Sequence, residues 1–326
     1  MRAFVTGATG FIGGALARAL LDQGDAVTAL VRDPAKAGDL IARGATITPG
    51  DVTSRAGLAA AMRDHDVVFH LAAWYDLGVG DRARMEAINV AGTEIVLGEA
   101  AAVGVPRIVH CSTVAVLGNS PDGRVLDETA EHHGGFGSWY EETKHLAQQR
   151  ADALVAEGAP IVTVMPGATY GPDDHSLLGM LLGLYARKLL VVCPYLDAGL
   201  SFVHVDDVAR GIVAAGERGR KGERYILAGD NESLRGLFRR LAPVTGLKPP
   251  RAQVPAALVR ASLPAGPVIA KVLGRQPGFL REGLASMTGT WMFASDKAGR
   301  ELGYSFRPVE DGIPPLLEQL RRTPLR

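Results

Sequence analysis

Tyr140 and Lys144 lie four residues apart in "SWYEETKHL", a spacing that puts both side chains on one face of a helix. A phenol ordinarily keeps its proton to about pH 10. An ammonium beside it favours the phenolate and makes tyrosine a usable proton donor or acceptor near neutrality. The pair gains specificity from Ser112 and Thr113 in "VHCSTVAVLG", hydroxyls at the carboxyl end of a strand-like run, where an open α/β sheet binds ligands.

A second set with chemical meaning is "VTGATGFIGG" at residues 5 to 14. Gly7, Gly10 and Gly13 follow a short β-branched run and precede apolar residues at helical spacing from Phe11 to Gln23. At such a strand-to-helix turn the missing side chains let backbone approach a pyrophosphate, and the free N–H groups and the positive end of the helix dipole face its charge. Thr9, Phe11 and Ile12 belong to the same cradle. The competing reading is a tight turn without a ligand.

These residues need a scaffold, and the chain alternates to provide one. Residues 26–31, 45–48, 67–70, 107–112 and 161–165 are strand-like, with helical patterns between them, notably 84–103 and 139–157. Such alternation predicts an α/β fold with a doubly wound parallel sheet of the Rossmann type. After Pro172 the rhythm breaks, and "RYILAG" at 224–229 reads as one more strand. A dinucleotide-binding domain is therefore expected over 1–172, rejoined by 201–230, with a smaller substrate-binding region from 173–200 and 231–326.

Composition limits the function classes. Lysine plus arginine equals aspartate plus glutamate, 35 against 35, so no basic field attracts nucleic acid. Two cysteines, Cys111 and Cys193, make neither a disulfide framework nor a metal cluster, as in a reducing compartment; the expected location is cytoplasmic. The amino terminus enters the first strand directly, without a signal-peptide pattern. The apolar stretch 177–196 is broken by Arg187, Lys188 and Pro194 and reads as a soluble helix and strand rather than a membrane span, with a hydrophobic lid over an apolar substrate as the other reading. His132 and His133 are adjacent and so project in different directions; no metal is expected.

With these motifs in order, the chain resembles the extended short-chain dehydrogenase/reductase family, the NAD(P)-dependent epimerase/dehydratase superfamily, in its dihydroflavonol-reductase-like branch. The likeness rests on "TGATGFIG", Asp51-Val52, "HLAA" at 70–73, "NVAGT" at 89–93, "CSTVAVLG", "YEETK", "PGATYGP" at 166–172 and "FVHVDDVA" at 202–209. The resemblance implies that Tyr140 exchanges a proton with the substrate oxygen and that Thr113, five residues before Gly118, hydrogen-bonds that oxygen, with Ser112 the next candidate. Lys144 would hold the nicotinamide ribose and lower the phenol pKa. The resemblance also assigns Asp51 and Val52 to the adenine, Leu71, Ala72 and Ala73 to the adenosine and pyrophosphate region, and Asn89 and Pro166 to the pocket wall. Asn89 as a tie between loops and Asp51 as a helix cap compete with those roles, and Asp206 and Asp207 read better as a helix cap than as catalytic groups.

Where NAD-binding relatives carry an acid, the second strand ends "ALVRDP". Arg32 with Lys36 suits a 2′-phosphate, so the expected cofactor is NADP, Asp33 keeping NAD open. Leu200 and Met165 stand where nucleotide-sugar enzymes place arginines, while Trp74, Tyr75, Leu77, Phe136, Tyr170 and the run from Leu177 suit a flat or apolar compound. The expected function is reduction of a low-charge ketone or aldehyde, or oxidation of the alcohol. A nucleotide-sugar epimerase or dehydratase using NAD is the runner-up, and a non-catalytic sensor or scaffold the third reading. By the same resemblance a homodimer forms through the helices over 84–103 and 139–157, against packing within the subunit.

Overall fold

The computed structural model describes residues 1–120, 122–272, 274, 276–286 and 289–322. β1 (Arg2–Thr6), α1 (Phe11–Asp22) and β2 (Ala26–Val31) open the chain; α2 (Gly38–Ala42), β3 (Thr46–Pro49), α3 (Leu58–Met62) and β4 (Val67–His70) follow. α4 (Arg82–Glu86) passes through a π-helical turn at Ala87–Ala91 into α5 (Gly92–Ala102), so the helix expected over 84–103 is interrupted. β5 (Ile108–Cys111), α6 (Trp139–Ala156) and β6 (Ile161–Pro166) complete the first half.

The second half is less regular. It runs β7 (Ala168–Tyr170), α7 (Leu177–Ala186), β8 (Val192–Pro194), β9 (Gly199–His204), α8 (Val205–Arg218), β10 (Arg224–Leu227), β11 (Asp230–Ser233) and α9 (Leu234–Thr245). β12 (Ala252–Val254), α10 (Ala256–Ser262), α11 (Gly266–Val272), α12 (Phe279–Ser286), β13 (Thr290–Trp291), α13 (Asp296–Leu302) and α14 (Val309–Arg322) end it. No described helix is long and apolar enough to cross a membrane; the stretch 177–196 forms α7 and β8.

Seven parallel strands form the main sheet in the order β10-β6-β5-β4-β1-β2-β3, the doubly wound arrangement. Strand alternation sends neighbouring residues to opposite faces. Phe4, Val68 and Ile108 pack with Val96 and Leu97 of α5 on one face. Val5, Phe69 and Val109 pack with Leu16 and Leu20 of α1 and Val208 and Ile212 of α8 on the other. Burying each such side chain contributes about 1.5–3 kcal/mol. A smaller sheet sets β9 between β11 and β13, with β7 also on β9. Beneath it α7, α9 and α14 enclose a second core around Leu182, Phe238, Ile313 and Leu317.

Asp207 ties this region to the first. The cap of α8 is His204, whose Nδ1 accepts from Asp206 N at 3.2 Å, so the two aspartates are not the cap. Asp207 is fully buried and accepts from Arg307 N at 2.8 Å, from the Arg307 guanidinium at 2.8–3.1 Å, and from Arg210. Removing one partner of such a charge-assisted set leaves the others unsatisfied. Asp207→Ala is expected to lower unfolding free energy by about 3 kcal/mol, read as a shifted midpoint in urea denaturation.

Candidate active site

The carboxyl ends of β1, β4 and β5 align at Thr6, His70 and His110, and the crevice beyond them is a cavity of about 920 Å³. Gly7 turns there with φ +77°, and a Cβ on it would lie 2.7 Å from Ala72 N. A Cβ on Gly13 would lie 2.0 Å from Gly7 O, so the first turn of α1 rests directly on the loop. Gly10 caps α1 without any side-chain hydrogen bond, which leaves first-turn N–H groups turned to the cavity without partners in the helix. This cradle fits the pyrophosphate of a nicotinamide dinucleotide. Gly7, Thr9, Gly10, Phe11, Ile12, Gly13, Lys36, Leu71, Ala73 and Pro166 line the cavity, and Arg18, unflagged in the sequence, joins Lys36.

A buried hydrogen-bond chain braces this floor. Ala72 N donates to Thr6 Oγ1 at 3.3 Å, Thr6 Oγ1 meets His70 Nδ1 at 2.8 Å, and His70 Nε2 meets Thr93 Oγ1 at 3.0 Å. Thr93 in turn donates to Asn89 O at 2.7 Å. Burial, with the Lys144 charge nearby, pushes His70 down to about 3, so the ring is neutral. Thr6 then donates to Nδ1 and Nε2–H donates to Thr93.

Ser138 starts α6 by accepting from Glu141 N at 3.1 Å, and Glu141 returns the bond to Gly137 N at 2.8 Å, a variant of the capping box. His132 belongs to this cap. Its Nδ1 accepts from Gly134 N at 2.9 Å and its Nε2 donates to Glu141 at 2.9 Å, so it anchors the loop. Among the described residues no three His, Cys, Asp or Glu side chains gather as metal ligands.

One turn inside α6, Tyr140 is half-buried at the cavity wall with its ring edge-on to Tyr75 at 4.7 Å. Burial raises the phenol above its ordinary value, Tyr75 and Cys111 add to the rise, and a hydrogen bond with Thr113 opposes it. Lys144 is not among the groups that offset this rise. Lys144 is almost fully buried, donates to Cys111 O at 2.9 Å, and is itself lowered by burial. Thr113 caps the short turn Val114–Leu117 by accepting from Ala115 N at 3.3 Å. Ser112 lines the cavity with a buried hydroxyl that has no partner among the described residues.

Other expected residues stand elsewhere. Asn89 is buried in the π turn, takes Trp74 N at 2.7 Å and donates to Trp74 O and Thr143 Oγ1 at 3.1 and 3.0 Å; it ties loops together rather than lining the cavity. Asp51 accepts from Thr53 N and Oγ1 at 2.9 and 2.8 Å. Burial opposes its charge, but those bonds with Arg32 and Arg84 hold its carboxyl below the usual range. Val52 packs against Gly92, and Arg32, Asp51, Val52, Ala72, Asn89, Phe136 and Tyr170 are all outside the lining. Phe136 packs on His132 and His145. Tyr170 is fully buried in the second core, while Ala168 and Thr169 before it on β7 line the cavity.

The remaining lining of the cavity is mostly apolar, with a few charged and polar side chains. Trp74, Tyr75, Leu77, Leu177, Leu178, Leu181, Leu200, Leu234 and Phe279 line it with Asp76, Asp173 and Asp174. Phe279 arrives because Glu282 accepts from Gly78 N at 2.7 Å and Gly278 N donates to Gly78 O at 3.2 Å. No local pattern in the sequence signals Leu234 or Phe279, which reach the cavity only through long-range packing. Arg18 had a signal, since it falls four residues after Gly14 on one helix face.

Residues 3–228 match the family model described as the NAD dependent epimerase/dehydratase family. A protein of Synechocystis sp. that bears dihydroflavonol 4-reductase as a provisional name is 33% identical over 318 residues, 95% of this chain and 92% of that protein. In Stigmatella aurantiaca, 4-hydroxy-2-methyl-3-oxo-4-farnesyl-3,4-dihydroquinoline-1-oxide ketoreductase is 35% identical over 94% of this chain and 92% of its own length. A solved structure, that of gox2253, superposes with a TM-score of 0.81 at 35% identity, covering 98% of each chain. With its parallel sheet, glycine cradle and Tyr140–Lys144 face, the chain belongs to the NAD dependent epimerase/dehydratase family and is an NAD(P)-dependent oxidoreductase of the extended short-chain dehydrogenase/reductase type.

Proposed function

We propose that the protein is an NADP-dependent reductase of low-charge, apolar ketones or aldehydes. The observation that carries this reading is the charge distribution of the cavity. Arg18 and Lys36 line it together with the glycine loop and Asp39, whereas Leu177, Leu181, Leu200 and Phe279 share the rest with Asp76, Asp173, Asp174 and His175. A diphosphate there would meet carboxylates and no guanidinium clamp. The farnesyl-bearing 3-oxo compound in the name of the Stigmatella relative points the same way.

The coenzyme, when bound, supplies the hydride. Tyr140, held neutral by burial, donates its proton to the substrate oxygen as negative charge develops there, and the Thr113 hydroxyl hydrogen-bonds that oxygen. Lys144 uses one of its three donors on Cys111 O, which leaves two for ribose hydroxyls. Because the phenol is raised, reduction should be flat through neutral pH and fall only under strongly alkaline conditions, whereas alcohol oxidation should climb with pH; matched profiles in both directions check this.

NADP preference rests on Lys36 and Arg18, which line the cavity, whereas Arg32 stands outside that lining near Asp51. Asp33, the acid that kept NAD open, caps the following turn by accepting from Ala35 N at 3.1 Å. Lys36→Ala is expected to raise KM for NADPH about tenfold and leave KM for NADH unchanged. Equal effects on both coenzymes contradict the assignment. Residues 173–200 and 231–326 serve as the substrate region in this reading, and two copies pair through the helical segments 84–103 and 139–157; a monomer mass by light scattering would dispose of the pairing.

A further inference from the structure

α7 ends in a Schellman turn, with Lys188 N on Tyr185 O at 3.0 Å and Leu189 N on Leu184 O at 2.9 Å. Lys188 adopts φ +63° there, a left-handed position where glycine is the residue without steric cost. The turn sends Leu190 and Cys193 into the second core. It leaves Leu189, Val191 and Val192 outside, 58%, 52% and 50% exposed. They lead into a short two-stranded ribbon, in which Val192 pairs with Ala252, and Arg251 N donates to Val191 O at 2.8 Å just before it.

Arg251 also rims a second cavity, of about 430 Å³, with Arg235, Arg239, Lys248 and Phe238. Arg235 is paired with Asp197 at 2.7 Å. Lys188, Arg239, Lys248 and Arg251 are exposed and form no ion pair among the described residues. One face therefore combines aliphatic prongs with an uncompensated excess of positive charge, in a chain whose total charge is zero.

We propose that this face docks on an anionic phospholipid surface. Leu189, Val191 and Val192 enter the boundary between headgroups and acyl chains, and Lys188, Arg239, Lys248 and Arg251 face lipid phosphates. A second copy is a poor occupant, because a two-fold contact would set these cations against themselves. The prongs are aliphatic and offer no stacking surface for nucleic-acid bases. The ten residues of α7 run from the apolar wall of the catalytic cavity, at Leu177, Leu178 and Leu181, to this face. Docking would thus bring that wall about 15 Å from the lipid surface. The inference holds whichever carbonyl compound is reduced.

Flotation of the full-length protein with phosphatidylcholine vesicles, with and without phosphatidylglycerol, tests it. The parent should float with the anionic vesicles and stay behind with the neutral ones, and high salt should release it. Val191→Asp with Val192→Asp should abolish flotation, and Lys248→Glu with Arg251→Glu should weaken it by about five-fold or more per cation. All of these positions are exposed, so thermal melting and NADPH binding should match the parent. Absence of flotation, equal flotation with neutral vesicles, undiminished flotation of the valine variant, or a parent dimer that this variant splits into monomers would each overturn the proposal.

Discussion

Tyr140→Phe should lower kcat for carbonyl reduction about a thousandfold, inside the 10²–10⁴ range of general acid–base catalysis, and leave the dissociation constant for NADPH within about twofold of the parent. The substitution keeps the ring, and with it the edge contact to Tyr75 at 4.7 Å; only the hydroxyl that bonds Thr113 is lost. Folding should therefore be close to unchanged. Residual turnover should lose the alkaline limb of its pH profile, because no phenol remains to titrate. Stopped-flow single turnovers separate hydride transfer from product release, and an unaltered single-turnover rate would remove Tyr140 from the chemistry.

Gly13→Ala should have the second large effect, on binding rather than on proton transfer. The added methyl would stand 2.0 Å from Gly7 O, and both atoms belong to backbone, so relief requires α1 and the loop to move apart. Overpacking of this kind costs about 1–3 kcal/mol of stability. Displacing the N–H cradle by ~1 Å should weaken NADPH on the order of a hundredfold. Calorimetric titration of the folded variant reads that loss directly. Gly38→Ala, where a Cβ meets open space, is the matched control and should bind as the parent does. Parent-like affinity in Gly13→Ala would mean that the loop does not hold the pyrophosphate.

Strands that are buried on both faces were legible, because a β-branched run with glycine or proline at its ends has few other ways to be buried. β2 and β4 fall on the residues expected, and β5 is one residue shorter at each end. The pattern over 84–103 looks like one continuous helix because the π turn at Ala87–Ala91 leaves the apolar period almost intact. What decides it is the turning of Asn89 toward the Trp74 backbone, a contact between residues fifteen apart. The core of the site, Tyr140, Lys144, Thr113 and the glycines, was visible for the same local reason: each spacing maps onto one turn or one strand end. Its far wall was not. Leu234 and Phe279 reach the cavity through pairings such as Gly78 with Glu282, 204 residues apart, which no window of sequence contains. Tyr170 shows the opposite failure, a residue placed correctly along the chain whose side chain packs into the second core.

Whether this site reduces low-charge carbonyl compounds at the expense of NADPH is decided by measuring NADPH consumption and product formation together across apolar aryl and alkyl ketones and UDP- and GDP-sugars. One alcohol should form per NADPH oxidised with one or more of the apolar ketones, with no turnover of the sugars. Conversion of a nucleotide sugar without net oxidation of the coenzyme, and no alcohol from any ketone, would contradict it.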